Sequence, residues 1–161
     1  MSGSTCSPPD LTVRAATIGD IPEILRQRRA TYEDMDYRDA DALAAMVSIS
    51  SGYLAKAMVE GSFRAWLAST GNRVVAGGAV LVSPWPAHPH DLECRRATIL
   101  NVYTYPEYRR RGIARRLMQT MIDWCRREGF AGVTLHASPD GRHLYESLGF
   151  EVSNEMRLKL R

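Results

Sequence analysis

The sequence predicts one α/β (α+β) domain built on a mixed sheet, and three observations carry this. Apolar residues switch repeatedly between strand spacing and helix spacing, so strands and helices alternate along the chain. Two strand-like runs flank Thr70-Gly71-Asn72, a turn that marks an antiparallel hairpin. The 161 residues, 45% hydrophobic and 24% charged, suit a single core, and neither a repeat nor a linker divides them.

The elements follow in order. Leu11 to Ala15 alternates weakly and reads as a first strand. Asp20 offers an N-cap with Pro22 in the first turn, and Ile21, Ile24 and Leu25 begin the apolar face of a helix to about Met35. A second helix starts near Asp39; Leu43, Met46, Val47, Leu54 and Met58 keep helical spacing, and Gly61 closes it. Strands follow at Phe63 to Ser69 and Val74 to Val82, and the Gly77-Gly78 pair inside the second implies a bulge or a close backbone approach. The proline-rich run from Pro84 to His90 is a loop. The next strand spans about Arg96 to Thr104.

Beyond Pro106 an arginine-rich turn opens a long helix with Ile113, Leu117, Met121 and Trp124 on one face, Met118, Ile122 and Cys125 beside them, and Gly129 as its stop. Val133 to His136 is a strand. Ser138-Pro139 is an N-cap followed by proline at the first helical position, and that helix ends at Gly149. Phe150 to Val152 and Met156 to Leu160 read as two closing strands, so the expected order is β-α-α-β-β-β-α-β-α-β-β.

The net charge is only +3, but positive charge gathers at Arg109, Arg110, Arg111, Arg115 and Arg116, and again at Arg126 and Arg127. Such a patch implies an anionic partner, either a phosphate-bearing cofactor or nucleic acid. Cys6, Cys94 and Cys125 are too few and too scattered for a disulfide framework or a zinc site. No metal is expected, and a reducing cytoplasm is the simplest setting. The start, MSGSTCSPPD, lacks the basic and apolar regions of a secretion signal and reads as a flexible arm over residues 1–10. No apolar run reads as approaching the length needed to span a bilayer, so no membrane partner is expected.

The most informative stretch runs from Asn101 to Ala114. A strand enters a short turn, and the turn opens a helix at Gly112. First-turn N–H groups have no internal partner, and the helix dipole adds partial positive charge there. That end suits a phosphate, small residues at Gly112 and Ala114 let the backbone approach it, and the arginines add charge-assisted contacts. No P-loop pattern and no dinucleotide fingerprint occurs.

Arg109-Arg110-Arg111-Gly112-Ile113-Ala114 resembles the Gln/Arg-x-x-Gly-x-Gly/Ala signature of the GNAT (GCN5-related N-acetyltransferase) superfamily. Leu144-Tyr145-Glu146-Ser147-Leu148-Gly149-Phe150 resembles that family's YExxGF segment, about thirty residues downstream, and the element order matches from Leu11 onward. The resemblance implies a single GNAT-like domain over residues 11–161, with a mixed, mostly antiparallel central sheet flanked by helices. It implies acetyl-CoA or a related acyl-CoA as co-substrate and an amine as acceptor. Val102, Tyr103 and Thr104 would pair with pantetheine, and the N–H groups of Arg110, Arg111, Gly112, Ile113, Ala114 and Arg115 would hold the pyrophosphate. Ser138 stands where many members carry an asparagine on pantetheine; its local role is helix N-cap. Tyr145 matches the family's usual general acid, and a phenol with a pKa near ~10 stays protonated at neutral pH.

The base is open. Thr98 to Thr104 and Val133 to Ala137 hold no carboxylate, contrary to a common family pattern. His136, Glu33, Asp34, Asp36 and a water relay all remain candidates. Tyr32, Tyr37, Trp85, His88 and His90 are candidate lining for the acceptor, which could be a small molecule or a peptide. Direct attack in a ternary complex is preferred to a cysteine intermediate, because Cys125 falls on the apolar side of its helix. A homodimer is left open. Two other readings compete: an acyl-CoA sensor without catalysis, and a nucleic-acid-binding domain using the arginine patch, which lacks a supporting motif.

Overall fold

The structure, a computed structural model, describes residues 10–161, so Cys6 and nearly all of the expected arm lie outside the described residues. Five strands and four helices run in the order β1 (Leu11–Ala15), α1 (Ile21–Asp34), α2 (Ala40–Glu60), β2 (Phe63–Thr70), β3 (Arg73–Pro84), β4 (Arg95–Thr104), α3 (Ile113–Arg127), β5 (Val133–Leu135) and α4 (Pro139–Ser147). Single turns of 3-10 helix at Ile18–Asp20 and Pro106–Tyr108 precede α1 and α3.

The strands lie in chain order, β1-β2-β3-β4-β5. The first four pair antiparallel, and β5 pairs parallel to β4 after the α3 crossover. The mixed, mostly antiparallel sheet is therefore as expected. The helices cover its two faces. Ile21, Ile24 and Leu25 of α1 and Leu54 and Ala57 of α2 pack with Phe63, Ala65, Leu67 and Ala79. On the other face Ile113, Leu117, Met118 and Met121 of α3 pack with Val75, Val80, Ala97 and Ile99.

Local chemistry sets the element ends. The Asp39 carboxylate accepts from Ala42 N–H at 2.9 Å and caps α2, and Gly61 ends it in the left-handed conformation, φ 78°. The Gly77-Gly78 pair is where both helical layers grip the sheet. A Cβ on Gly77 would lie 2.2 Å from Gln27 Oε1 of α1, and one on Gly78 would lie 2.8 Å from Met121 Cε of α3. The β3–β4 register shifts between Gly77 and Ala79, and β4 answers with Asn101 at φ 56°. Asparagine tolerates that left-handed conformation better than most residues.

Two expectations are corrected. Phe150 to Val152 and Met156 to Leu160 form no strand in this chain; Phe150 N–H still closes α4 on Tyr145 C=O, but the chain beyond it makes no ladder. The period-two pattern is present, but no edge of its own sheet accepts it. Second, α2 is long and apolar enough to cross a membrane by length and composition, with 17% of its most apolar window buried. Its apolar stretch is diluted by Ser48, Ser50, Ser51, Gly52 and Lys56, which hid its length in the sequence. Here Leu43, Leu54 and Ala57 of α2 are buried within the domain.

Candidate active site

β4 and β5 diverge. They pair only through Ala97–Val133, Thr98–Thr134 and Ile99–Leu135, after which β5 ends and β4 continues to Thr104. The edge of β4 from Leu100 onward therefore faces a gap on the β5 side. The Thr104 hydroxyl is buried without a hydrogen-bond partner among the described residues, an arrangement that normally calls for one. Tyr103 is buried, with its ring edge-on to Tyr105 at 5.4 Å and the Arg109 guanidinium 5.5 Å over its face. Its side chain is therefore not available to a ligand.

The loop after β4 ends in two left-handed residues, Arg110 at φ 63° and Gly112 at φ 74°. Gly112 is the N-cap of α3, and its C=O accepts from Arg116 N–H at 3.1 Å. Among the described residues, the N–H groups of Arg110, Arg111, Gly112, Ile113, Ala114 and Arg115 donate to nothing. Successive unpaired N–H groups at a turn and a helix start form a concave anion site.

The arginine side chains divide their work. Arg109 is not free: it ion-pairs with Asp34 and donates to Thr104 C=O at 2.9 Å, tying α1 to the end of β4. Arg111 donates to Glu107 C=O at 2.9 Å and lies over Tyr108. Arg115 donates to Ser147 Oγ at 2.6 Å, which holds α4 against the start of α3. Arg110 is exposed and has no partner among the described residues.

Helix α4 carries Tyr145. Ser138 caps it, accepting from Gly141 N–H at 3.2 Å, so its hydroxyl is engaged locally. The Tyr145 ring rests on Gly141, where a Cβ would stand 2.8 Å from Cε2 and 3.1 Å from both Cζ and Oη. Gly141 thus shapes the tyrosine's position, a role sequence reading missed; the signal was a helix-weakening glycine four residues before the motif tyrosine. Burial pushes the Tyr145 phenol above its ordinary pKa, and its hydroxyl makes no hydrogen bond among the described residues. It is a protonated donor without a partner.

The candidate bases separate. Glu33 is paired with Arg29 at 2.8 Å, Asp34 with Arg109 and Asp36 with Arg38. All three carboxylates are committed to ion pairs. His136 sits just beyond β5, exposed, with Nε2 3.5 Å from a Glu155 oxygen. Cys125 is buried and its thiol is pushed up to about 11 by burial, so it holds no thiolate at neutral pH.

A cavity of about 200 Å³ opens beside Asn101, on the α1/α2 side of β4. Leu54, Phe63, Leu81 and Leu100 line it with Arg28 and Asn101. Arg28 donates to Asn101 Oδ1 at 2.7 Å and lies 5.5 Å over the Tyr32 ring. It forms no ion pair among the described residues, unlike Arg26 and Arg29 on either side of it. Sequence reading missed Arg28 because its partner is far away in the chain. Of the expected acceptor residues only Tyr32 comes close, through Arg28; Tyr37 packs on Tyr32, Trp85 stacks with Arg96, and His88 and His90 pack on each other in the β3–β4 loop. A larger cavity of about 670 Å³ lies between α1 and α2, with no lining residue from β4, β5 or α4.

A splayed pair of parallel strands, an N–H cradle at the following helix and a free tyrosine on the next helix define an acyl-CoA-dependent acyltransferase class of site. The sequence profile described as the Acetyltransferase (GNAT) family matches residues 24–150, and the chain belongs to that family. A GCN5-related N-acetyltransferase from Ralstonia eutropha is 32% identical, with a TM-score of 0.85 over 93% of this chain and 98% of its own. A predicted acetyltransferase from Clostridium acetobutylicum, solved with acetyl-CoA, is 23% identical, with a TM-score of 0.82 over 94% and 96%. Human N-acetyltransferase 8 is 27% identical over 123 residues, which cover 74% of this chain. The match spans about half of that relative, 51%.

Proposed function

We propose that this protein transfers an acetyl group from acetyl-CoA to a primary amine by direct attack in a ternary complex, with Tyr145 as the acid that protonates the departing CoA thiolate. The observation that carries the proposal is the N–H cradle from Arg110 to Arg115, linked to α4 by the Arg115–Ser147 hydrogen bond. In this reading the cradle holds the pyrophosphate, with Gly112, Ile113 and Ala114 at its floor, and Arg110 and Arg111 add positive charge. The open edge of β4 at Val102, Tyr103 and Thr104 pairs with pantetheine, and the Thr104 hydroxyl gains its missing partner. Ser138 stays a helix cap.

The amine nitrogen attacks the thioester carbonyl, the C–S bond breaks, and the phenol proton moves to sulfur. The amine loses its proton to water or to His136, because the three α1-side carboxylates are held by arginines. The acceptor's remaining atoms enter the cavity at Asn101. Its apolar lining and the Arg28 guanidinium favour an amine that carries both an apolar group and a carboxylate, as an amino acid or a short peptide does.

Tyr145→Phe tests this reading. Loss of a general acid lowers kcat by about 10²–10⁴-fold, while acetyl-CoA affinity by calorimetry stays unchanged. Unchanged kcat in a thiol-release assay would remove Tyr145 from the chemistry. Failure of acetyl-CoA to bind at all would overturn the cofactor assignment.

A further inference from the structure

The cradle rests on a turn that its own residues do not favour. Arg110 stands at φ 63°, a left-handed conformation that costs an arginine far more than a glycine. Such a residue persists only where its surroundings hold it. Arg110 supplies no hold itself, since its side chain has no partner among the described residues.

Its two neighbours differ. Arg111 donates to Glu107 C=O at 2.9 Å, within the same turn, so that bond travels with the turn. Arg109 is tied to the rest of the domain. Its Nε donates to Thr104 C=O at 2.9 Å, its guanidinium lies 5.5 Å over the Tyr103 ring, and it ion-pairs with Asp34, the last residue of α1. Thr104 and Tyr103 belong to β4, the strand that the turn leaves. Asp34 alone fixes the turn to a different element. Its neighbours Glu33 and Asp36 pair with arginines close by in the chain, Arg29 and Arg38, whereas Asp34 reaches across 75 residues. The start of the turn is held from the same helix. The Tyr105 hydroxyl donates to Glu23 at 2.9 Å, and the buried Gln27 donates to the same oxygen at 3.0 Å. α1 therefore grips the approach to the cradle from both of its ends.

We propose that Asp34 is a positioning residue for cofactor binding: through Arg109 it holds the left-handed turn at Arg110, and so keeps the cradle's N–H groups converged on one anion. The inference rests on the reading that the cradle takes the CoA pyrophosphate. It gives the helix that carries Arg28, on the acceptor side, a share in cofactor affinity. The sign of the effect separates positioning from charge. Asp34 brings a negative charge to the residue next to an anion site. If charge alone acted, removing it would relieve repulsion, free Arg109 for the phosphates and tighten acetyl-CoA binding. If Asp34 holds the turn, its loss lowers the fraction of chains with a formed cradle, and the apparent Kd rises by the same factor. An ion pair as exposed as this one shifts an equilibrium by up to about fivefold.

The test is calorimetry with acetyl-CoA on the full chain, joined with thiol-release kinetics. Asp34→Asn should raise both the Kd and the KM for acetyl-CoA by about three- to fivefold, with no loss of kcat at saturation and little change in melting temperature. Asp34→Glu should recover most of that loss. Glu33→Gln removes a neighbouring charge without touching Arg109 and should not weaken binding. In the Arg110→Gly background the left-handed turn carries no penalty, so Asp34→Asn should there cost less than about twofold, and the double-mutant cycle cancels the lost Arg110 charge. Tighter or unchanged binding in Asp34→Asn overturns the proposal. So does an equal cost in both backgrounds, which places the effect outside the turn. A wild-type chain that binds no acetyl-CoA overturns the cofactor reading and this one with it. Wild-type binding that every Asp34 variant matches overturns this one alone.

Discussion

Gly141 offers a test that separates the position of Tyr145 from the stability of its helix. Replacing it with alanine places a methyl group 2.8 Å from Tyr145 Cε2 and 3.1 Å from its Oη. Carbon atoms rest comfortably near about 3.5 Å, so the ring must withdraw by roughly 0.7 Å. No helix backbone is strained, because Gly141 is not among the residues with positive φ. Alanine within a helix is favoured over glycine by about 0.5–1 kcal/mol, so Gly141→Ala should melt at or slightly above the wild-type temperature. Misplacement of a reacting group by about 1 Å can cost 10²-fold in rate, so kcat should drop by about 10–100-fold. Acetyl-CoA affinity should not move, since Ser138 still caps α4 and Arg115 still reaches Ser147. The assays are thiol release under saturating acetyl-CoA and a thermal melt of the same preparation. A variant as active as wild type would refute the claim that Tyr145 acts from the position seen here.

Other outcomes are expected elsewhere in the fold. Gly112→Glu puts a β-carbon at φ 74° and a negative charge beside the cradle; acetyl-CoA affinity by calorimetry should fall by about 10²-fold or more, with only a modest drop in melting temperature. Arg28→Ala should raise KM by about 10–100-fold for amines bearing a carboxylate, the loss of one hydrogen bond to a charged group, and leave KM for the matching carboxamides unchanged. Equal effects on both would show that Arg28 only supports Asn101. Asp20 is held well below the ordinary carboxylate range, first by its hydrogen bonds from Arg14. A depressed folded-state pKa stabilises above the unfolded value and is lost as pH falls below about 4. Asp20→Asn removes the charge that pairs with the half-exposed Arg14 and should cost at most about 1 kcal/mol at neutral pH. In urea melts that cost should shrink toward pH 3.

What the sequence disclosed and what it withheld divide by range. Asp39 and Ser138 cap helices through residues three positions away, and Gly61, Gly129 and Gly149 take the left-handed turns that end them. Those features need only neighbours, so they were legible. The cradle was legible for the same reason: a strand, a turn and a helix start are consecutive. The acceptor side was not. Arg28 meets Asn101 across 73 residues, and Asp34 meets Arg109 across 75. No local pattern says that Arg28 lacks a carboxylate, or that Asp34 is spent on an arginine rather than available as a base.

The closing segment is the instructive case. Period two along Val152 to Leu160 states that one side of a strand is meant for burial, and it says nothing about which sheet does the burying. Within one chain that side stays in solvent while β5 keeps an open edge and α4 stays half-covered. Burying a large apolar side chain is worth about 1.5–3 kcal/mol, so four such residues on each chain are a sizeable drive toward any surface that fits.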